Sequence, residues 1–425
     1  MLSTTYDERR QLEQMGPEDL AKYQLNRLNA LLTEILPHNR FYADMLGEVE
    51  LPLQSLDDLA AFPFTTKADL INNGDEFSAN LTYPKEQYVR FHRTSGTKGR
   101  PLVVLDTASD WQWWIDNWQF VLDAAEVGPE DRAMMAFSFG PFIGFWSAND
   151  ALAARGVMVI PAGGLSTNGR LELLRSSKAT VVLCTPTYAL HMAEAADDNQ
   201  IDLAKLDVRR VIVAGEPGGS IPAIRQRIEQ AWNAKLIDHS GASEIGPWGY
   251  ADAQQKGLYV NESAFIAEFI SVETGESASD GELSELILTT LGRSGSPVIR
   301  YRTGDLVRPK WNDSGDCRFV LLDGGVLLGR SDDMMIIRGV NIFPSSVEQI
   351  LRSFPEVAEY RITAHKRGEM DALRVDVEDR LQSPERITKE MELRLGLKIE
   401  VSLVPLGSLP RFEGKGRRFV DERQS

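Results

Sequence analysis

Between about Tyr88 and Glu244, short β-branched runs alternate with amphipathic helical stretches, and this alternation constrains the fold of the 425-residue chain more than any other feature. A strand, a helix and a further strand in the same direction require a crossover, so the pattern implies a parallel sheet with helices on its faces. The expected strands are 133–139, 157–161, 179–184, 208–214 and 235–238. A helix expected over 107–126 sets Trp111, Trp114, Ile115, Trp118, Leu122 and Ala125 on one stripe, opened by Asp110 near its first turn. A packed helix face explains these tryptophans better than a cofactor box. From Ile266 to Pro309, alternating residues and Gly-rich turns around Leu283, Leu286, Ile287 and Leu288 suggest a second sheet beside the first.

A chain of this length exceeds one compact core. After Gly329-Arg330-Ser331-Asp332 the pattern changes. Ser345 and Glu348 read as a capping box ahead of Val347, Ile350 and Leu351. Strands near 360–364, 373–377 and 399–404 and a helix over 383–395 complete a small α+β unit. This last stretch carries roughly as many basic as acidic residues, so nearly all of the net charge of -16 lies before it. A surface that acidic offers no general attraction to nucleic acid or to an anionic membrane. Cys184 and Cys317 stand far apart, with neither disulfide nor zinc-ligand spacing, which fits a reducing cytoplasm. The polar start MLSTTYDERRQLEQM lacks the apolar core of a secretion signal, and the apolar run 133–148 is broken by Gly140, Pro141 and Gly144.

Three segments carry chemistry. Thr94-Ser95-Gly96-Thr97-Lys98-Gly99-Arg100-Pro101 follows a strand that alternates Tyr88, Arg90 and His92 with Val89 and Phe91. Its backbone N–H groups and hydroxyls suit a polyphosphate, with Lys98 and Arg100 screening charge. It lacks the GxxxxGK[ST] spacing of a P-loop. Asp238-His239-Ser240-Gly241-Ala242-Ser243-Glu244 ends a strand where open α/β sheets bind ligands, and Glu244 offers the oxygen donor that Mg²⁺ prefers. Tyr301-Arg302-Thr303-Gly304-Asp305 places a carboxylate on a tight turn, suited to the vicinal hydroxyls of a ribose. A flexible turn, a solvated carboxylate and an Asp-capped turn are the respective structural alternatives.

TSGTKGRP, SGASE, YRTGDL, GRSDDMMIIRGVNIFP and EGKGRR stand in the order and approximate spacing of the adenylate-forming enzymes, and the fourth resembles the phenylacetate-CoA ligase branch of that superfamily. The resemblance implies an α/β fold: a large N-terminal domain of stacked mixed sheets with flanking helices, 1–331, and a small mobile α+β C-terminal domain, 332–425. It implies that ATP and a carboxylic acid first give acyl-AMP and pyrophosphate, after which the thiol of CoA displaces AMP; transfer to a carrier protein, an amine or another acceptor is the alternative. Carried over to matching positions, Thr94, Ser95, Gly96, Thr97, Lys98 and Gly99 would grip the β- and γ-phosphates. Glu244 would hold Mg²⁺, Asp305 the ribose with help from Arg330, and Gly215-Glu216-Pro217 would lie along the adenine with the 239–243 segment. Lys415 matches the lysine that approaches the α-phosphate and the acid in adenylation, Asp332 the interdomain hinge, and Gly339 the passage for the pantetheine arm.

Two positions depart from the family pattern. Ser240 stands where relatives usually have an aromatic stacked on adenine, with His239 the neighbouring substitute, and Cys317 lacks the second cysteine of a pair found in some relatives, so no structural metal is expected there. Phe137, Phe139, Phe142, Phe145 and Trp146, with Gly246 and Trp248 after Glu244, are candidate walls for an aryl or other flat apolar acid; core packing explains at least half of the aromatics equally well. The expected partners are therefore the acid, ATP and CoA, and the oligomeric state is left open, a homodimer included.

Overall fold

The computed structural model describes residues 2–71, 76–94, 101–137, 140–141, 143–144, 146–216, 218–251, 254–311, 315–326, 335–337, 340–342, 344–367, 370–411 and 418–423. The β-branched runs form the expected parallel strands, Arg132–Met135, Met158–Pro161, Val181–Cys184, Arg210–Val213 and Lys235–Ala242. Val181, Val182, Leu183, Cys184, Val211, Ile212 and Val213 are all fully buried. Apolar residues in succession leave no polar side for water, which is why these strands lie inside a sheet covered on both faces.

Lys235–Ala242 pairs in parallel with Arg210–Val213 on one side and antiparallel with Gly246–Tyr250 on the other. Beyond it the nine-stranded sheet continues antiparallel through Gly257–Val260, Leu321–Asp323 and Pro309–Lys310. The strand therefore marks the change of direction, a place where the connections diverge and leave a crevice at the strand ends. The expected second sheet is the antiparallel set Phe265–Ser271, Ser284–Thr290 and Tyr301–Val307.

The tryptophan-rich helix runs Ala108–Ala124, capped by Thr107. Asp110 returns its carboxylate to the Thr107 backbone N–H at 2.9 Å, a reciprocal cap that satisfies two otherwise orphaned donors. The single apolar stripe read from the sequence is too narrow. Trp113, Phe120, Val121, Asn117 and Gln119 are buried as well, because the helix lies within the core that joins the large sheet to the three-stranded one. Its buried amides survive there by bonding carbonyls: Asn117 donates to Trp113 at 2.9 Å and Gln119 to Ile115 at 3.1 Å. The opposite face of the parallel strands is covered by the helices Thr167–Ser177, Pro186–Asp198 and Pro222–Trp232, which bury Leu171, Tyr188, Met192, Ile228 and Trp232.

Near the C-terminus, Glu400–Leu403, Met370–Asp379, Val357–Arg367 and Phe419–Asp421 form a four-stranded sheet packed against Pro344–Arg352 and Pro384–Leu395 around a core of its own. The first of these helices starts at Pro344, so Ser345 lies inside it and is not the expected cap. Proline suits a first helical position, where the missing N–H costs nothing. Glu348 instead accepts from Tyr360 Oη at 3.3 Å and Arg352 Nη2 at 3.4 Å. Arg352 also reaches Thr187 Oγ1 at 3.4 Å, and Arg380 lies 3.5 Å from Glu194, so both contacts join this unit to the helix Pro186–Asp198.

Glu13, at the end of the helix Tyr6–Glu13, is buried against Tyr250 and Arg10. Desolvation is the largest influence on its carboxyl and raises it to about 7 from 4.5, against the opposing pull of the Tyr250 hydrogen bond and Arg10. The native chain then holds this proton more tightly than the unfolded chain, so the contribution is full below about pH 4.5 and is lost as pH rises through about 7. Glu13→Gln removes that slope. In calorimetry from about pH 5 to about pH 8, the variant should gain on the parent as pH rises, by up to about 2 kcal/mol.

Candidate active site

Tyr88–Arg93 pairs antiparallel with Val103–Thr107 as a separate hairpin, and the Thr94 segment joins its two strands. Thr94 closes its base from both sides, donating its backbone N–H to the Leu102 carbonyl at 2.9 Å and accepting Leu102 N–H on its hydroxyl at 3.0 Å. The alternation along the first strand is reversed relative to a normal core strand: Val89 and Phe91 are 61% and 51% exposed, whereas His92 is buried. The interior at this point carries polar groups among the apolar ones. Arg90 pairs with Asp150 at 2.7 Å, and Asp150 also accepts the Trp111 indole N–H at 2.8 Å. His92 stacks on Trp111 at 5.4 Å, and its Nδ1 lies 4.0 Å from Asp106 Oδ2. Burial, then the nearby Arg293 and Arg90, lowers the His92 pKa to about 4, so its ring is neutral near pH 7.

Glu244 sits on the turn between Lys235–Ala242 and Gly246–Tyr250, and it is only 7% exposed. Its carboxylate accepts from Tyr301 Oη at 3.1 Å and faces Lys67 Nζ at 3.5 Å. The approach of Lys67 follows from local pairing: Thr65 bridges to Tyr301 in parallel, and Thr66 caps the short helix Lys67–Leu70 with Asp69. Gly246 returns the chain at φ +136, and a Cβ there would meet the Trp113 ring at 2.6 Å, so glycine is required on both counts.

On the neighbouring strand ends, Gly215 takes φ +94, and Glu216 accepts the Thr187 backbone N–H at 2.7 Å. Asp238 is buried and accepts from Ser220 Oγ at 2.6 Å; desolvation dominates and raises its carboxyl to about 6. The His239 ring faces the interior, 4.3 Å from Trp118, with Nδ1 2.7 Å from the Gly249 carbonyl oxygen, and burial lowers its pKa to about 4. Ser240 and Ala242 are half-buried and Gly241 is exposed. Along Tyr301–Val307 the register shifts opposite Leu286, Gly304 takes φ +76, and the Thr303 hydroxyl accepts the Asp305 N–H at 2.9 Å while donating to Leu286 O at 2.7 Å. A bulge of this kind re-aims a side chain, and Asp305 is left half-buried at the sheet edge.

Of the expected acid-binding residues, Phe137 is partly buried against the main core, and Trp248 is 1% exposed within it. Ser95, Gly96, Thr97, Lys98, Gly99, Phe139, Phe142, Pro217, Arg330, Asp332, Gly339 and Lys415 lie outside the described residues. Sequence reasoning did not find Lys67, Tyr301's role, Asp106 or Arg293. Arg293 is fully buried in the turn between two strands of the smaller sheet, and it pairs with Asp106 at 2.6 Å. The signals were present: an arginine flanked by Gly292 and Gly295, and a lysine immediately after Thr65-Thr66. Neither occupies a spacing that names a function by itself.

The pattern of the family described as AMP-binding enzyme C-terminal domain matches residues 339–423. The phenylacetate-coenzyme A ligase of Pseudomonas putida is 32% identical, over 97% of this chain and 96% of its own length. The crystal structure of 2-hydroxyisobutyryl-CoA ligase in the postadenylation state with 2-HIB-AMP superposes with a TM-score of 0.90 at 25% identity, covering 99% of this chain and 94% of that one. The same ligase with 2-HIB-AMP and CoA in the thioesterification state gives 0.73 at 25% identity over the same shares. The chain belongs to the phenylacetate-CoA ligase family of adenylate-forming enzymes, and it is an ATP-dependent, AMP-forming acid–CoA ligase.

Proposed function

We propose that the acid activated by this enzyme is an aryl or arylacetic acid, and that the crevice at the end of Lys235–Ala242 is where ATP and the acid meet. The observation that carries the site is Glu244: a nearly buried carboxylate at the change of strand direction, with a hydroxyl and an ammonium group on it. A buried carboxylate persists only with such partners. The similarity to phenylacetate-CoA ligases and the aromatic-rich segment 137–146 support the choice of acid.

The chemical difficulty of the first step is charge, since the acid's carboxylate must attack a phosphorus surrounded by anionic oxygens. Cations placed where negative charge accumulates lower that barrier without moving a proton. In our reading Lys415 supplies one at the α-phosphate, the 94–99 loop holds the outer phosphates, Lys67 adds positive charge beside Glu244, and Asp305 receives the ribose hydroxyls. Gly215, Glu216 and the 240–243 segment border the adenine.

Mg²⁺ fits this donor set. It keeps most of its waters and takes one or two carboxylates plus substrate phosphates, so the single Glu244 carboxylate suffices. When bound it would screen the phosphate oxygens from the incoming acid.

The small domain, from about residue 332, would then turn about Asp332 and carry Lys415 away, admitting CoA past Gly339. The better superposition on the postadenylation state than on the thioesterification state, 0.90 against 0.73, supports such a two-position arrangement.

Pyrophosphate exchange into ATP across a panel of acids tests the proposed acid, with the fastest exchange expected for arylacetic or aryl acids. Preference for a short aliphatic acid would overturn that reading. Lys415→Ala should lower adenylation by about 100-fold or more. Its effect on CoA thioester formation from supplied acyl-AMP should be much smaller, and equal losses in both half-reactions would remove the assigned role.

A further inference from the structure

Arg293 lies behind the proposed nucleotide site and is not part of any motif identified in the sequence. Its side chain is 0% exposed, and so is that of Asp106. Such a guanidinium has five donors to satisfy and nowhere to send them except into neighbouring protein groups. Nε donates to Asp106 Oδ1 at 2.8 Å, while Nη1 donates to the backbone carbonyl of Glu244 at 2.9 Å and to that of Ser243 at 3.3 Å. One planar group therefore joins the carboxylate of one strand to two successive carbonyls of the turn that carries Glu244.

Asp106 is itself fixed. Trp114 donates its indole N–H to Oδ1 at 3.2 Å, and the Trp114 ring lies 5.4 Å from the Arg293 guanidinium carbon. Among the described residues Asp106 Oδ2 accepts no hydrogen bond, and it faces His92, two residues before Thr94. Asp106 belongs to the second strand of the hairpin that bears the 94–99 loop. Two residues beyond Arg293, Gly295 donates its N–H to Asp110 Oδ1 at 3.1 Å, and a Cβ on Gly295 would come within 2.1 Å of Asp110 Oδ2. The turn 291–297 is thereby held to the first turn of the tryptophan-rich helix.

We propose that Arg293, anchored by Asp106, is a positioning residue for the nucleotide half-reaction: by clamping the Ser243 and Glu244 carbonyls it sets the direction of the Glu244 carboxylate relative to the phosphate-binding hairpin. The proposal rests on the reading of Glu244 given above. Lysine keeps the charge at position 293 but presents a point donor in place of a planar fork, so it cannot hold Asp106 and both carbonyls together. The carboxylate would lose its fixed aim while its chemistry remained intact.

The test compares Glu244→Gln, Arg293→Lys and the parent enzyme in two assays with melting temperatures measured alongside: Mg·ATP-dependent pyrophosphate exchange, and thioester formation from supplied acyl-AMP and CoA. Arg293→Lys should raise the Mg·ATP KM and the Mg²⁺ requirement by about 10- to 100-fold, the usual effect of removing a group that orients a metal ligand. Thioester formation should change by less than about twofold, since acyl-AMP needs no such carboxylate in this account. Equal losses in both assays would assign Arg293 to the scaffold alone and overturn the proposal. So would an unchanged Mg·ATP KM in an enzyme whose Glu244→Gln variant is impaired. An unimpaired Glu244→Gln would instead overturn the reading of the site beneath it. If Arg293→Lys does not fold, Trp114→Phe carries the test in the same two assays: it removes the indole donor to Asp106 together with part of the ring packed near Arg293. About a threefold rise in the Mg·ATP KM is expected there, the equivalent of one modest hydrogen bond, and no rise would count against the proposal.

Discussion

A guanidinium and a carboxylate that are both completely removed from water, Arg293 and Asp106, constrain the centre of this molecule. Neither charge is tolerable there alone: deleting one partner of a buried pair typically costs about 3–5 kcal/mol because the other is left stranded. The pair ties together a strand of the hairpin that follows Tyr88, a turn of the three-stranded sheet and the Glu244 turn at the strand ends in the middle of the large sheet. Three pieces distant in sequence acquire one geometry from a single side chain. Hydrophobic packing alone does not provide that, since apolar contacts are non-directional and tolerate sliding.

The inverted hairpin strand follows from the same constraint. His92 turns inward and Val89 and Phe91 outward because the space beneath the hairpin holds Asp106, Asp150 and Arg293 beside the apolar Val104 and Trp111. Period-two alternation identified the segment as a strand but did not say which face was inside. Burial direction depends on what the rest of the chain brings up to that strand, and the relevant residues are as far away as position 293.

The parallel strands were legible because their signal is local: valine, isoleucine and leucine runs bounded by turn residues. The family motifs were legible because chemistry at phosphate groups restricts residue type and spacing. The width of the buried surface on Ala108–Ala124 was not, since a helix enclosed between two sheets buries residues such as Asn117 and Gln119 that sequence polarity assigns to solvent. Lys67 was missed for a related reason. It reaches Glu244 only because Thr65 pairs with Tyr301, a long-range bridge that no local pattern encodes. Ser345 illustrates the opposite error: a local cap pattern falls inside a helix that already includes Pro344.

We propose that the nucleotide and its metal settle at the change of strand direction, on Glu244. Crystals grown with a non-hydrolysable ATP analogue and Mn²⁺ in place of Mg²⁺ test this directly through the anomalous signal of the manganese. One strong peak is expected between a Glu244 carboxylate oxygen and the nucleotide's phosphate oxygens, with the ribose on Asp305. A peak elsewhere in the molecule, or phosphates bound away from the hairpin that joins Arg93 to Leu102, would contradict it.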